Sequence, residues 1–240
     1  MKMGFYLLFV LFLFVPFLSL NEWGLSMRIL FDLDGTLTDS FDGITKSIQY
    51  ALKELGREIP EAEKLRWCIG PPLQESFLTL LDTNNRSEAE EALALYRSRY
   101  GEAGLFENKL YSGILESLEA LRELGHDLSV ATSKPEVFAV RIIEHFGLRE
   151  FFSHVDGSQL DGRRTDKSDL IRHILDRDGL TEAIMVGDRE HDIIGGTANG
   201  LATVGVLWGN GTKEELQAAR ARVLVEHPRE ISSAIKLAQG

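Results

Sequence analysis

The chain has 240 residues, of which 44% are hydrophobic and 26% are charged, a balance typical of a globular protein with one large domain or a core with a smaller insertion. Its formal net charge of −11 at pH 7 disfavours binding to nucleic-acid phosphates and to anionic lipid, so neither is an expected partner. Cys68 is the single cysteine, which excludes an intrachain disulfide and a CxxC zinc site, and we interpret it as a small buried apolar side chain.

Residues 1–26 form a hydrophobic leader that differs from the rest of the chain. Its sixteen uncharged residues, FYLLFVLFLFVPFLSL, would span about 24 Å as a helix, short of the roughly 30 Å core of a bilayer. That length is typical of a signal peptide, and a retained leader would instead anchor the protein at a membrane. We favour translation from Met27, because MRILFD opens directly into a strand. This interpretation predicts a cytoplasmic protein, and it places the leader outside the fold.

From Met27 onward, short apolar runs alternate with amphipathic segments. The apolar runs predict strands buried on both faces, at 28–32, 128–132, 183–187, 203–207 and 222–226. The amphipathic segments predict helices, at 113–124, 135–146, 166–177 and 212–221. This alternation predicts an α/β fold in which helices cover both faces of a Rossmann-like parallel sheet.

One interval lacks strands. Residues 41–108 contain three stretches with helical spacing, ITKSIQYALKELG, PPLQESFLTLLD and SEAEEALALYRSRYGEAG. Helices inserted after the first strand of an α/β sheet predict a cap domain over 41–108. The core then comprises residues 27–40 and 109–240.

Reactive side chains lie where the predicted strands end. Ligands of an open parallel sheet bind beyond the carboxyl ends of its strands, so side chains at those ends are expected to meet. The candidates are Asp32 and Asp34 after the first strand, Thr132 and Ser133 at the end of the second, Lys167 at a helix start, and Asp188 and Asp192 after the strand 183–187. These carboxylates, hydroxyls and ammonium group are the inventory that would hold a divalent metal beside a phosphoryl group.

The same side chains predict phosphoryl transfer with Mg²⁺ as the cofactor. Asp32 and Asp188 offer the hard oxygen ligands that Mg²⁺ prefers, and the cation would reduce the repulsion between a carboxylate and a phosphate dianion. Asp32 could then attack phosphorus to form an aspartyl-phosphate, while Asp34 protonates the leaving oxygen. Lys167 and the Thr132 hydroxyl would contact the phosphate oxygens.

Four segments resemble, in order, the four motifs of the haloacid dehalogenase superfamily: DLDGTLTDS, VATSKP, RTDKSDLI and MVGDREHD. The likeness extends from about Met27 to the C-terminus, includes the helical insertion, and is greatest to the phosphoglycolate phosphatase group. The resemblance implies that Asp32 is the nucleophile, Asp34 the acid and base, Thr132 and Lys167 the phosphate ligands, and Asp188 a metal ligand. It also implies that the backbone carbonyl of Asp34 contacts the metal and that Asp192 supports the metal site.

Several residues have two interpretations. Ser133 could share the phosphate-binding role of Thr132. Asp192 could instead lie in the first turn of a helix, where a negative charge is favourable. Trp67 and Phe77 flank CIGPPLQESF, a stretch similar to a cap loop of phosphoglycolate phosphatases and 5′-nucleotidases, and packing between cap helices explains them better than substrate contact.

The resulting functional hypothesis is a magnesium-dependent phosphomonoester hydrolase. A helical lid over the site favours a small phosphorylated metabolite as the substrate, with phosphoglycolate first and a nucleoside monophosphate second. A sugar phosphomutase and a non-catalytic binding protein are the alternatives. A membrane partner is expected only if the leader is retained, and the sequence gives no oligomeric state.

Overall fold

The computed structural model describes residues 26–240, so the predicted leader lies outside the described residues except for Ser26. The strands are β1 (Arg28–Phe31), β2 (Thr38–Asp39), β3 (Lys109–Leu110), β4 (Asp127–Pro135), β5 (Phe152–Ser158), β6 (Ala183–Gly187), β7 (Ala202–Val206) and β8 (Val223–Val225). Six of them form a parallel sheet in the order β5-β4-β1-β6-β7-β8, which confirms the predicted α/β core.

The α-helices of the described residues are α1 (Phe41–Glu54), α2 (Leu73–Leu80), α3 (Arg86–Arg99), α4 (Ile114–Glu123), α5 (Glu136–His145), α6 (Lys167–Asp178), α7 (Glu190–Ala198), α8 (Lys213–Ala218) and α9 (Ile231–Gln239). None of the helices within residues 26–240 has the length and apolar composition needed to cross a bilayer.

Strand β1 is central, and its side chains pack into the cores on both faces of the sheet. Ile29 and Phe31 belong to the core shared with α4, α5 and α9, whereas Leu30 points to the opposite core, which is shared with α6. This alternation follows from the two-residue period of a strand, and it explains why RILF is apolar throughout. Because β1 pairs with both β4 and β6, the carboxyl ends of three strands lie side by side.

The cap lies between β2 and β3. Helices α1 and α2 both pack on α3, and a 3₁₀ segment (Ala62–Cys68) and a π-helical turn (Tyr100–Gly104) complete this helical layer. Strands β2 and β3 pair antiparallel, so the two chain segments that connect the cap to the core lie against each other. The structure therefore has the helical insertion after the first strand, and we retain 41–108 as its proposed boundaries.

The sequence prediction missed strand β5. Its segment, FSHVDGS, contains Ser153, His154 and Asp156 and therefore has no continuous apolar run. β5 is an edge strand that pairs only with β4, so Ser153 and His154 face solvent, whereas the buried Asp156 accepts hydrogen bonds from Arg177 of α6.

Candidate active site

The turn after β1 places two carboxylates at the centre of the sheet edge. Asp32 remains attached to the sheet, because its backbone amide donates to the carbonyl of Val186 at 2.9 Å. The chain then reverses at Gly35, whose φ of +90° is strained for residues with a side chain. A Cβ atom at this position would also lie 2.1 Å from Oδ2 of Asp188. Glycine is therefore required both by the turn and by the carboxylate beside it.

Asp32, Asp188 and Asp192 form a buried acidic cluster, in which one ligand oxygen of each lies within 4.8 Å of the others. Their residues are 6%, 0% and 2% exposed. Asp188 directly follows β6, and Asp192 lies in the first turn of α7. The structure therefore brings three of the predicted strand-end carboxylates into one cluster.

Hydrogen bonds fix the orientation of Asp188 and Asp192. The backbone amide of Asn210 donates to Oδ2 of Asp188 at 2.7 Å, and the Thr36 hydroxyl donates to its Oδ1 at 3.3 Å. Oδ2 of Asp192 accepts from the backbone amide of Arg189 at 3.1 Å. Asp192 therefore caps the helix and is also a member of the cluster, and its support of a metal stays a prediction.

Lys167 is the cation of the cluster. Its ammonium lies 2.7 Å from Oδ1 of Asp32 and 2.7 Å from Oδ1 of Asp192, and it also donates to the carbonyl of Ala131 at 2.9 Å. Burial alone would lower the pKa of Lys167, but Asp192 and Asp32 outweigh it, and the pKa lies above its ordinary value. Lys167 is therefore a permanent positive charge at the site.

One ammonium does not neutralise three buried carboxylates. Burial, together with Asp192 and Asp32, raises the pKa of Asp188 well above its ordinary value. Burial also raises the pKa of Asp192 to about 6, although Lys167 opposes the shift. A compact set of hard oxygen donors that repel one another fits a divalent cation such as Mg²⁺.

Asp34 lies apart from this cluster and has its own cation. Its Oδ2 is 2.8 Å from the ammonium of Lys134, and its Oδ1 is buried without a hydrogen bond among the described residues. The two aspartates of the DxD motif therefore contact different lysines, Asp32 contacting Lys167. Lys134 lies in the segment VATSKP, and the sequence analysis assigned it no role, so this pairing was not predicted.

The two predicted hydroxyl residues differ in their contacts. Thr132 is buried, and its Oγ accepts from the backbone amide of Lys134 at 3.3 Å, which leaves its O–H free to donate. Ser133 is half-buried, and its carbonyl accepts from the Ser158 hydroxyl at 2.8 Å. Both residues line the cavity described next.

A cavity of about 670 Å³ separates the sheet edge from the cap. Core residues on its wall include Asp32, Asp34, Thr132, Ser133 and Lys134, and cap residues include Gly70, Leu73, Leu93, Arg97 and Tyr100. Lys167, Asp188 and Asp192 are not among the residues that line this cavity. Small molecules would thus meet Asp32 and Asp34 first.

Side chains of both domains hold the cap over the cavity. Arg189 of the core donates to the carbonyl of Ile69 in the cap loop. In the opposite sense, Arg66 and Arg97 of the cap donate to core acceptors, the Asn210 side chain and the Leu160 carbonyl, each at 3.2 Å. These contacts describe a cap that is closed on the core.

Of the two aromatic residues that flank the cap loop, only one is packed in the interior of the cap. Phe77 is fully buried and packs edge-on against Tyr96, as expected for packing between cap helices, whereas Trp67 is 43% exposed. Cys68 is buried, and burial raises the pKa of its thiol to about 12, which makes it a poor nucleophile.

Comparison with known proteins gives three curated relatives of note. Residues 29–206 match the family model described as "Haloacid dehalogenase-like hydrolase". The chain is 49% identical over 193 residues to a 5′-nucleotidase of Pseudomonas aeruginosa (80% of this chain, 87% of the relative). It is 40% identical over 198 residues to tyrosine-protein kinase PtkA of Mycobacterium tuberculosis (82% and 67%). It is 27% identical over 219 residues to a phosphoglycolate phosphatase of Photobacterium profundum (88% and 96%).

A solved structure of a predicted phosphatase has the same fold as this chain. The crystal structure of a predicted phosphatase from Clostridium acetobutylicum superimposes with a TM-score of 0.85 at 41% identity, covering 89% of this chain and 99% of that one. The match includes nearly all of the other protein, so the cap and the core are both shared.

Proposed function

The chain belongs to the haloacid dehalogenase-like hydrolase family and is a phosphatase, and we propose that it hydrolyses small phosphomonoesters through an aspartyl-phosphate on Asp32, with Mg²⁺ as the cofactor. The carrying observation is the buried cluster of Asp32, Asp188 and Asp192, in which Lys167 contacts Asp32 and Asp192, together with Asp34 on the wall of the cavity. This arrangement supports Asp32 as the nucleophile, Asp34 as the acid and the acidic cluster as the metal site, all at the same edge of the sheet.

Mg²⁺ would be held by Asp32, Asp188 and the backbone carbonyl of Asp34, with Asp192 in support. When bound, it supplies positive charge that offsets the repulsion between the Asp32 carboxylate and the phosphate oxygens. This assignment is supported by the elevated pKa of Asp188 and Asp192, which burial raises first and the neighbouring carboxylates raise further.

The protein side chains carry the two chemical steps. A carboxylate oxygen of Asp32 attacks phosphorus, the bond from phosphorus to the ester oxygen breaks, and Asp34 gives that oxygen a proton. Asp34 then takes a proton from water, which attacks the aspartyl-phosphate and releases inorganic phosphate and free Asp32. Acid and base assistance of this kind contributes about 10²–10⁴ in rate. Lys167, Thr132 and Ser133 are proposed to bind the phosphate oxygens.

The preferred substrate in this proposal is a nucleoside 5′-monophosphate. Phosphoglycolate has only two carbon atoms and would leave most of a 670 Å³ cavity to water. The higher identity to a 5′-nucleotidase than to a phosphoglycolate phosphatase supports the same order. Phosphoglycolate becomes the second candidate.

Phosphate release from a panel of esters tests the proposal. The panel contains nucleoside 5′-monophosphates, phosphoglycolate and sugar phosphates, each assayed with Mg²⁺ and with EDTA. We expect turnover that requires Mg²⁺, is lost in Asp32→Asn, and is retained in Asp176→Asn, a matched change at an exposed position on α6. Turnover in EDTA, or activity in Asp32→Asn, would contradict the mechanism. An isomerised sugar phosphate without release of inorganic phosphate would indicate a phosphomutase.

A binding measurement separates a phosphatase from a non-catalytic relative. Beryllofluoride on a carboxylate mimics an aspartyl-phosphate, so with Mg²⁺ it should raise the Tm of the wild type and of Asp176→Asn. Asp32→Asn should show no such rise, and a rise of equal size in that variant would exclude Asp32 as the nucleophile.

The cytoplasmic location stays a prediction, and mass spectrometry of the N-terminus in native cells tests it.

A further inference from the structure

Lys134 joins the proposed acid to the cap. Its ammonium lies 2.8 Å from Oδ2 of Asp34 and donates to the hydroxyl oxygen of Tyr100 at 2.6 Å. The Lys134 and Asp34 side chains are 5% and 11% exposed, and Tyr100 is 1% exposed. Three polar groups that are this buried hold one another in a defined geometry, because each would lose a partner if another moved.

Tyr100 belongs to the cap but contacts both domains. It begins the π-helical turn after α3, and its ring stacks on Tyr96 with centroids 5.2 Å apart and an interplanar angle of 12°. On its other side it packs edge-on against Phe138 of core helix α5, with centroids 5.7 Å apart. The ring is fixed by aromatic contacts from both domains, so the position of its hydroxyl depends on the position of the cap.

The contact with Lys134 leaves Asp34 one free oxygen. Oδ2 is held by the ammonium, whereas Oδ1 makes no hydrogen bond among the described residues, and Asp34 lines the substrate cavity. A carboxylate that can rotate would exchange its two oxygens. With Oδ2 fixed, Oδ1 is the atom available for proton transfer.

We infer that Tyr100 and Lys134 are positioning residues for the acid, and that the cap orients Asp34 through them. The inference rests on the proposed function of Asp34. In the closed cap, the Tyr100 hydroxyl holds Lys134 and Lys134 holds Asp34 in its productive orientation. Displacement of the cap removes the Tyr100 contact, and proton transfer loses its alignment while the nucleophile Asp32 keeps its own partner, Lys167.

Leaving-group dependence gives a readout that general loss of structure would not change. An alkyl ester, such as a nucleoside monophosphate, leaves as a strong base and needs a proton from Asp34. The leaving group of p-nitrophenyl phosphate is a weak base that departs without one. A misaligned acid therefore lowers kcat for the alkyl ester more than kcat for p-nitrophenyl phosphate.

The experiment measures kcat for the alkyl ester divided by kcat for p-nitrophenyl phosphate, in the wild type and in Tyr100→Phe and Lys134→Met. We expect the ratio to fall about 10-fold in Tyr100→Phe and about 100-fold in Lys134→Met, within the range for acid catalysis. Tyr96→Phe removes a hydroxyl four residues earlier, at the end of α3, and should keep the wild-type ratio. Equal losses on both substrates, which leave the ratio within about twofold of wild type, would overturn the inference.

A double variant tests whether Tyr100 acts through Lys134. The double variant Lys134→Met/Tyr100→Phe should have the same ratio as Lys134→Met alone, because the Tyr100 hydroxyl then has no ammonium to position. Multiplied effects would show two independent roles and overturn the coupling. A wild type that hydrolyses neither ester would refute the proposed function and this inference with it, whereas an active wild type with unchanged ratios would refute the inference alone.

Discussion

The ammonium of Lys167 lies 2.7 Å from Oδ1 of Asp192, on the neighbouring helix of the core. The other oxygen of Asp192 caps its own helix by accepting from the amide of Arg189. One carboxylate thus fixes the start of α7 and the position of the lysine, which in turn contacts Asp32. The folding of this helix terminus and the electrostatics of the site depend on the same side chain.

The first prediction concerns the loss of this cation. Lys167→Met would leave Asp32 and Asp192 without their ion-pair partner in a buried site. Removing one partner of a buried ion pair costs about 3–5 kcal/mol, because the remaining charge is uncompensated. We expect a loss of this size in the free energy of unfolding, measured by urea denaturation at pH 8 in EDTA.

The matched control is Lys53→Met, at an exposed position near the end of α1. It should change the free energy of unfolding by less than about 0.5 kcal/mol. Equal effects of the two substitutions would mean that the acidic cluster does not depend on Lys167 for its stability.

The second prediction is that Asp188→Asn stabilises the metal-free protein. Burial, together with Asp192 and Asp32, raises the pKa of Asp188, so the fold disfavours its ionised form. The stability contributed by the protonated form is complete below the ordinary pKa of about 4 and is lost as the pH rises through the higher folded pKa. At pH 8 in EDTA, removing the charge should raise the free energy of unfolding by about 1 kcal/mol. The corresponding rise in Tm is about 2–4 °C.

The same variant should lose its response to Mg²⁺. Addition of Mg²⁺ should raise the Tm of the wild type, because a ligand that binds only the folded state stabilises it. The Tm of Asp188→Asn should not change. Asp176→Asn serves as the control and should match the wild type in both conditions. An Asp188→Asn protein that is less stable than wild type in EDTA, or that keeps the full Mg²⁺ shift, would contradict the account of the cluster.

Much of this site could be predicted from local sequence. A parallel strand buried on both faces has a continuous apolar run, so the runs ending at Asp32 and Asp188 identified two central strands and their carboxyl ends. Once those ends are known, sheet geometry brings the following side chains together. The encounter of Asp32, Asp188 and Asp192 required no knowledge of the cap.

The contacts that the sequence did not predict depend on how the cap docks. Lys134 meets Tyr100, and Arg189 meets Ile69, only because the helical layer closes over the sheet edge. The helical period of the cap segments predicts which faces are apolar, but it does not give the orientation of one domain on another. The pairing of Asp34 with Lys134 lies within the core and does not depend on the cap, and it was missed because the sequence analysis assigned no role to this lysine.

The third prediction concerns the glycine beside Asp188. A Cβ atom at Gly35 would lie 2.1 Å from Oδ2 of Asp188 and 2.7 Å from Nδ2 of Asn210. Gly35→Ala must therefore displace a proposed metal ligand or the loop that orients it. Substitutions that disturb the support of a metal ligand cost about 10–100-fold in metal affinity or activity. We therefore expect the Mg²⁺ concentration that gives half-maximal phosphate release to rise about 10–100-fold in this variant.

Gly125→Ala separates this effect from backbone strain. Gly125 also has a positive φ, +83°, but a Cβ atom there would meet nothing within 4 Å. The substitution should cost about 1–2 kcal/mol of stability for the left-handed conformation and leave the Mg²⁺ dependence as in the wild type. If both variants lost Mg²⁺ affinity equally, contact with Asp188 would not be the cause.

The fourth prediction concerns an ion pair far from the cavity that attaches α6 to the central strand. Asp178 accepts from Nε of Arg177 at 2.7 Å and from Nη1 of Arg28 at 2.8 Å. Hydrogen bonds from Arg177 first, and then from Arg28, hold the pKa of Asp178 at about 2. The lowered pKa means that its stabilising effect is present above the ordinary pKa of about 4 and is lost as the pH falls towards 2. Asp178→Asn should therefore cost about 1–3 kcal/mol at pH 7, with a smaller difference from the wild type at pH 3. Urea unfolding at both pH values checks this, and a difference that grows on acidification would contradict it.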